Sequence, residues 1–229
     1  MKKKVALLLA LVMIFSLFAV GCGGSGDSEE YAGTVKIGVF EPASGDNGAG
    51  GKQETLGIQY ANQLQPSVDI NGETYKVELV IADNESDTNK GISAAQDLVS
   101  SGVSVVLGSY GSAVSIAAGS VFKEANVPAI GVTCTNPQVT QDNPVYFRIC
   151  FLDPFQGTVL ANFAYENGQR KAYCLSKLGD DYSVGLVKYF KEAFTELGGE
   201  VVEEQFPQGN SDFTSYVANA KAKGCDVFY

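Results

Sequence analysis

The chain has 229 residues, 16 Lys and Arg against 26 Asp and Glu, and no histidine, for a formal net charge of −10. Without histidine there is no Ser-His-Asp triad, no histidine general base and no histidine metal ligand. So acidic a surface disfavours nucleic acid, and no nucleic-acid partner is expected.

Residues 1–21 read as an export signal. Lys2, Lys3 and Lys4 supply the charged start, and Val5 to Val20 is almost wholly apolar. That run is short for a bilayer span and suits a signal peptide. The "AVGC" that follows resembles a bacterial lipobox, with Ala19 in place of the commoner Leu. The resemblance implies cleavage before Cys22, diacylglycerol on its thiol and a lipid anchor in the cell membrane. An ordinary secretory peptide is the alternative. Residues 22–33 form a polar tether. Removing 1–21 takes away three lysines and no acid, so the net charge moves from −10 to −13. Of the remaining cysteines, Cys134, Cys150, Cys174 and Cys225, none forms a C-x-x-C pair, which argues against zinc and dithiol redox chemistry. Cys150, Cys174 and Cys225 lie in strand-like runs, where buried free thiols are common.

From Thr34 the pattern alternates strand and helix. "TVKIGVFE" is a strand, and a glycine-rich loop at 44–51 leads into a helix ending near Leu64. "YKVELVIAD" is the next strand. Asp87 caps a helix from Thr88 to about Ser101, and Gly102 ends it. "VSVVLG" is apolar and β-branched, as a strand buried on both faces should be. A helix from Ser112 to about Ala125 and a short strand, "PAIGV", follow. "TQDNPVYFRICFLDP" reads as a crossing. Asp153 and Pro154 then open a helix, as a capping acid followed by a first-turn proline. The strands "KAYCLSK", "EVVEEQF" and "CDVFY" alternate with two further helices. This order predicts an α/β fold of two doubly wound parallel-sheet lobes, 34–150 and 151–229. The second lobe reads as incomplete, because the chain stops inside an apolar strand.

Ligands of such sheets bind beyond the carboxyl ends of the strands. Five stretches fall there. "PASGDNGAGG" matches neither G-x-x-x-x-G-K-[ST] nor G-x-G-x-x-G. "GSYGSAVS", 108–115, lacks the G-x-S-x-G order of a nucleophile elbow, and no histidine exists to activate its serines. What remains is a hydroxyl at a helix N-terminus beside free N–H groups, which suits an anion. With no Lys or Arg nearby in sequence, a single carboxylate fits better than a phosphate. The competing reading makes Ser112 an N-cap of its own helix. In "TCTNPQVT", Thr133 and Thr135 can offer a carbonyl and a hydroxyl to an ammonium, or the stretch is an ordinary Asn-Pro turn. Tyr182 in "DDYSVG" can stack over a ligand or be a surface tyrosine. "DPFQG" reads as a helix cap and hinge. No cofactor and no enzymatic activity are expected from this set.

Taken together, the lipobox, "KIGVFEPASGDNG", the run at 83–87, "VVLGSYGSAVSIAAG", "VPAIGVTCTNPQVT", "YFRICFLDPFQG" and "DDYSVG" resemble the type I periplasmic binding proteins of branched-chain amino-acid ABC transporters. They follow the family's order and cover nearly all of 34–229. The resemblance implies a Venus-flytrap cleft that holds a free amino acid or small amide, with ABC permease subunits as partners. It implies that Ser112 and the N–H of Ala113 bind the carboxylate. Thr135 meets the carboxylate or ammonium, the Thr133 carbonyl meets the ammonium, and Tyr182 covers the ligand. Tyr110, beside the turn, is either a side-chain contact or packing beneath the loop. Many relatives carry Tyr where this chain has Gly50, which leaves more room. A sensor of the same fold, feeding a signalling partner, is the alternative function.

Overall fold

The computed structural model describes residues 31–229; the expected signal segment, Cys22 and most of the tether lie outside the described residues. β1 (Gly33–Glu41) carries Val39 and Phe40 into full burial at its C-terminal end. α1 (Gly48–Leu64) follows, then β2 (Ser67–Ile70) and β3 (Glu73–Asp83). Next come α2 (Thr88–Ser100), β4 (Val105–Gly108), α3 (Ser112–Ala125) and β5 (Ala129–Gly131). A 3-10 turn at Pro137–Val139 leads to β6 (Tyr146–Arg148). These strands form one sheet in the order β2-β3-β1-β4-β5-β6. All neighbours are parallel except β2, which pairs with β3 antiparallel.

β2 is absent from the sequence expectation and adds one antiparallel edge strand to the parallel sheet. Its signal is local: Asn71 and Gly72 have φ of 54° and 88°, the left-handed pair that a tight hairpin turn demands. β6 likewise emerges from the expected crossing, where it pairs in register with β5, Ala129 opposite Tyr146.

The second sheet is smaller. α4 (Asp153–Glu166), β7 (Lys171–Lys177), α5 (Asp181–Glu196), β8 (Glu200–Phe206), α6 (Thr214–Ala222) and β9 (Val227–Phe228) give the parallel order β8-β7-β9. Each sheet has its own core. Phe40, Leu98, Val106, Phe122 and Tyr146 fill the first, where Phe122 stands edge-on to Phe40 with ring centroids 5.5 Å apart. Cys174, Val187, Phe190 and Phe194 fill the second. All four described cysteines are free.

Caps fix the helix starts near the strand ends. Asp87 accepts from the N–H groups of Asn89 and Lys90, and Asp180 from that of Ser183. Asp153 differs from expectation: Leu152 is the cap, and Asp153 is the first helical residue, with no side-chain capping bond. Its carboxylate is drawn inward instead and is fully buried.

Candidate functional site

Strand order predicts where a ligand sits. In the first sheet β1 has β3 on one side and β4 on the other, so the chain reverses direction across the sheet between β1 and β4. In the second sheet β7 has β8 and β9 on its two sides. Loops leave such switch points in opposite directions and open a crevice at the strands' carboxyl ends. A cavity of about 430 Å³ lies there, lined by Asp46, Asn47 and residues 110–114 from the first sheet and by Lys177, Asp180 and Tyr182 from the second. The volume is in the range of small-molecule pockets.

All six residues singled out from sequence, Tyr110, Ser112, Ala113, Thr133, Thr135 and Tyr182, line this one cavity. Gly111, not Ser112, occupies the N-cap of α3. A glycine has no side chain to bond the first-turn N–H groups, so the helix N-terminus keeps its donors and its positive end for the cavity. Ser112 is 2% exposed, and its Oγ accepts from the backbone N–H of Asn136 at 3.3 Å. The hydroxyl therefore ties the 133–140 loop to α3 and keeps its own proton to donate. Thr135 is buried, and its hydroxyl faces the carboxyl of Asp153. Thr133 is committed differently: its hydroxyl donates to Glu54 at 2.6 Å. That leaves its carbonyl as the group to offer a ligand.

Gly50 and Tyr110 are one feature. A Cβ at Gly50 would stand 2.4 Å from Cε2 of Tyr110, so the tyrosine ring occupies the space that a side chain at 50 would take. Tyr110 and Tyr182 are each 37% exposed, one on each side of the cavity. Cys150 and Phe151, from the segment joining the two sheets, and Gln156 of α4 also line it.

Several functional residues escape a sequence reading because they act across long separations. Lys177, at the end of β7, pairs with Asp46 of the first sheet's loop at 2.7 Å and bridges the cavity mouth. Arg148 donates to the carbonyls of Cys134, Asn136 and Pro137 and to the Thr140 hydroxyl, at 2.8–3.3 Å, and so holds the loop that carries Thr133 and Thr135. Asn136 reaches the second sheet, donating from Nδ2 to the carbonyl of Asp181 at 2.7 Å. Burial raises the pKa of Asp153, against the lowering effect of the Thr135 hydroxyl beside it and of the Arg148 charge. Among the described residues no group of His, Cys, Asp and Glu is arranged to hold a metal. No described helix is long and apolar enough to cross a membrane.

A model of the periplasmic binding protein family matches residues 34–229. The chain is 32% identical over 198 residues to the Leu/Ile/Val-binding protein homolog 1 of Brucella abortus, a match covering 85% of this chain and 53% of that protein. The branched-chain amino acid transporter substrate-binding protein LivJ of Streptococcus pneumoniae, in complex with isoleucine, superposes with a TM-score of 0.75 at 31% identity, over 85% of this chain and 56% of that one. A solute-binding protein of an ABC transporter from Rhodopseudomonas palustris, in complex with 3,4-dihydroxybenzoic acid, also gives 0.75, at 26% identity over 85% and 53%. The chain thus spans about half the length of the relatives it matches.

Proposed function

This chain belongs to the periplasmic binding protein family, and on that premise we propose that it is an extracytoplasmic solute-binding protein that captures a free amino acid, branched-chain or related, or a small amide. One observation carries the proposal: the Gly111-capped N-terminus of α3 and the hydroxyls of Ser112 and Thr135 converge on the same cavity. Fixed N–H and O–H donors at a helix N-terminus favour a carboxylate without needing a lysine or arginine. The isoleucine and the dihydroxybenzoic acid of the two structural relatives have a carboxylate in common. The Thr133 carbonyl is the acceptor available to an ammonium, which selects an amino acid over a simple acid.

In this reading Tyr182 and Lys177 belong to the moving side. Closure brings Tyr182 over the ligand, and the Lys177–Asp46 bridge holds the mouth. Cys22 carries the lipid that keeps the protein at the membrane, and the closed form delivers its ligand to ABC permease subunits. The test is a thermal-shift titration of the chain with the L-amino acids, their amides and hydroxybenzoates. Stabilisation by L-leucine or L-isoleucine, lost when leucinol replaces leucine, supports carboxylate capture. No shift with any of them at millimolar concentration refutes the reading.

A further inference from the structure

Two carboxyls lie behind the cavity wall, and ligand capture as described leaves them without a role. Glu41 ends β1 and is 1% exposed; Glu54 projects from α1. Glu41 Oε2 accepts the backbone N–H of Tyr110 at 2.7 Å. Glu54 Oε1 accepts the hydroxyl of Thr133 at 2.6 Å. The second oxygen of each, Glu41 Oε1 and Glu54 Oε2, is buried without a partner, and the two carboxyls stand within hydrogen-bonding reach of each other. Two ionised carboxylates repel in such a place. One proton between them converts two orphan acceptors into a donor and an acceptor.

Among the described residues neither carboxyl takes part in an ion pair. Burial acts most strongly on Glu41, then the charge of Glu54, both toward the protonated form, and only the Tyr110 N–H opposes them. The Tyr146 phenol of β6 senses Glu41, and the Cys150 thiol senses Glu54; burial raises the pKa of both, so they stay neutral. Arg148 is engaged with the carbonyls of Cys134, Asn136 and Pro137 and with the Thr140 hydroxyl. Gly108 presses on the same spot, since a Cβ there would lie 2.7 Å from Glu41 Oε1.

We propose that Glu41 and Glu54 share one proton and form a positioning pair that holds Tyr110 and Thr133, from two separate loops, in the geometry that receives the ligand. The proposal rests on the reading of the cavity as a solute site. Its consequence is alkaline sensitivity. A carboxyl whose proton is held in the folded state stabilises fully below the ordinary glutamate pKa, and that contribution is lost as pH rises toward the folded value. Loss of the proton puts two negative charges behind the wall and releases both loops.

Carbon-13 NMR of chain labelled at the glutamate carboxyls reads the proton without any ligand, with E41Q and E54Q as assignment standards. One carboxyl that remains protonated at neutral pH and vanishes in E41Q is the expected result. Full ionisation of every glutamate at neutral pH overturns the shared proton, whatever the chain binds. Calorimetric titration with L-leucine and L-isoleucine reads the positioning role. Wild-type affinity should fall as pH is raised through the alkaline range, and E41A should weaken binding about tenfold, one hydrogen bond's worth. The amide of E41Q supplies the N–H in place of the proton and keeps the acceptor for Tyr110. It should rescue most of the E41A loss and abolish the alkaline fall. An undiminished alkaline fall in E41Q overturns the positioning role. Failure of wild type to bind either probe defeats the solute reading and the positioning role together, while the NMR result still decides the proton.

Discussion

Ser112→Ala separates ligand capture from loop architecture. The serine Oγ makes one protein hydrogen bond, a long one of 3.3 Å from the Asn136 N–H. A neutral bond of that length contributes at the low end of the usual range, about 0.5–1 kcal/mol. At this chain length that is a fall of about 1–4 °C in the melting temperature of the unliganded protein. The same hydroxyl donating to a buried carboxylate contributes about 1.5–3 kcal/mol. The dissociation constant for L-leucine or L-isoleucine should therefore rise about 10- to 150-fold, far beyond what the stability loss implies. Ser115→Ala is the matched control. Ser115 is also buried, but its Oγ donates to the Gly111 carbonyl at 3.0 Å and accepts from Ser109 at 3.4 Å, away from the cavity. It should cost stability with little loss of affinity. Calorimetry of both variants beside their melting curves decides the matter. Equal affinity losses in the two, or an Ser112→Ala affinity within about twofold of wild type, would refute a direct role for Ser112.

Gly50→Ala should leave the melting temperature unchanged or raised, because alanine favours the helix by about 0.5–1 kcal/mol over glycine. Its methyl displaces the Tyr110 ring, 2.4 Å from the new Cβ, so the ranking of amino acids in competition binding should change; an unchanged ranking argues against Tyr110 as a side-chain contact. Breaking the 2.7 Å bridge with Lys177→Met should weaken ligand affinity by no more than about 1 kcal/mol, since Asp46 is mostly exposed. A double-mutant cycle with Asp46→Asn should give a coupling that shrinks with added salt, and zero coupling at low salt removes the latch. Burial raises the Asp153 pKa, so its ionised form is a cost that grows as pH climbs above the ordinary carboxylate value. Asp153→Asn should accordingly gain melting temperature over wild type at pH 8 and little or nothing at pH 4; equal gains at both would disprove a charge origin.

The order of strands and helices was legible because each signal is local: the β-branched run before Gly108, the Asp87 cap, the glycines after the helices. The six cavity residues were legible for a related reason. Strand ends in a doubly wound sheet collect at one edge, so the turns that follow them meet. β2 was equally readable, since Asn71-Gly72 is a strong hairpin signal. What no local pattern carries is pairing between distant residues. Glu41 and Glu54 look like a strand-end acid and a helix-surface acid, and become a buried pair only because α1 folds back over the end of β1. Arg148 reads as one charge in an apolar stretch until four acceptors close around it. Asp46 and Lys177 lie 131 residues apart and meet only when both sheets are in place.

The cavity wall is therefore built in two layers with different physics. The inner layer is a set of donors left free by omission: first-turn N–H groups that a glycine cap has no side chain to bond, and a serine that accepts and still has a proton to give. The outer layer supplies rigidity through groups already bonded to the loops, Arg148 beneath the 133–140 loop and the carboxyls of Glu41 and Glu54 behind Tyr110 and Thr133. Free donors bind a carboxylate well only if they cannot relax toward one another once the cavity empties, and the outer layer prevents that relaxation. Substitutions in the inner layer should thus act on affinity, and substitutions in the outer layer on affinity together with pH dependence and stability. That division follows from which hydrogen bonds are already made, and it needs no assumption about the ligand's side chain.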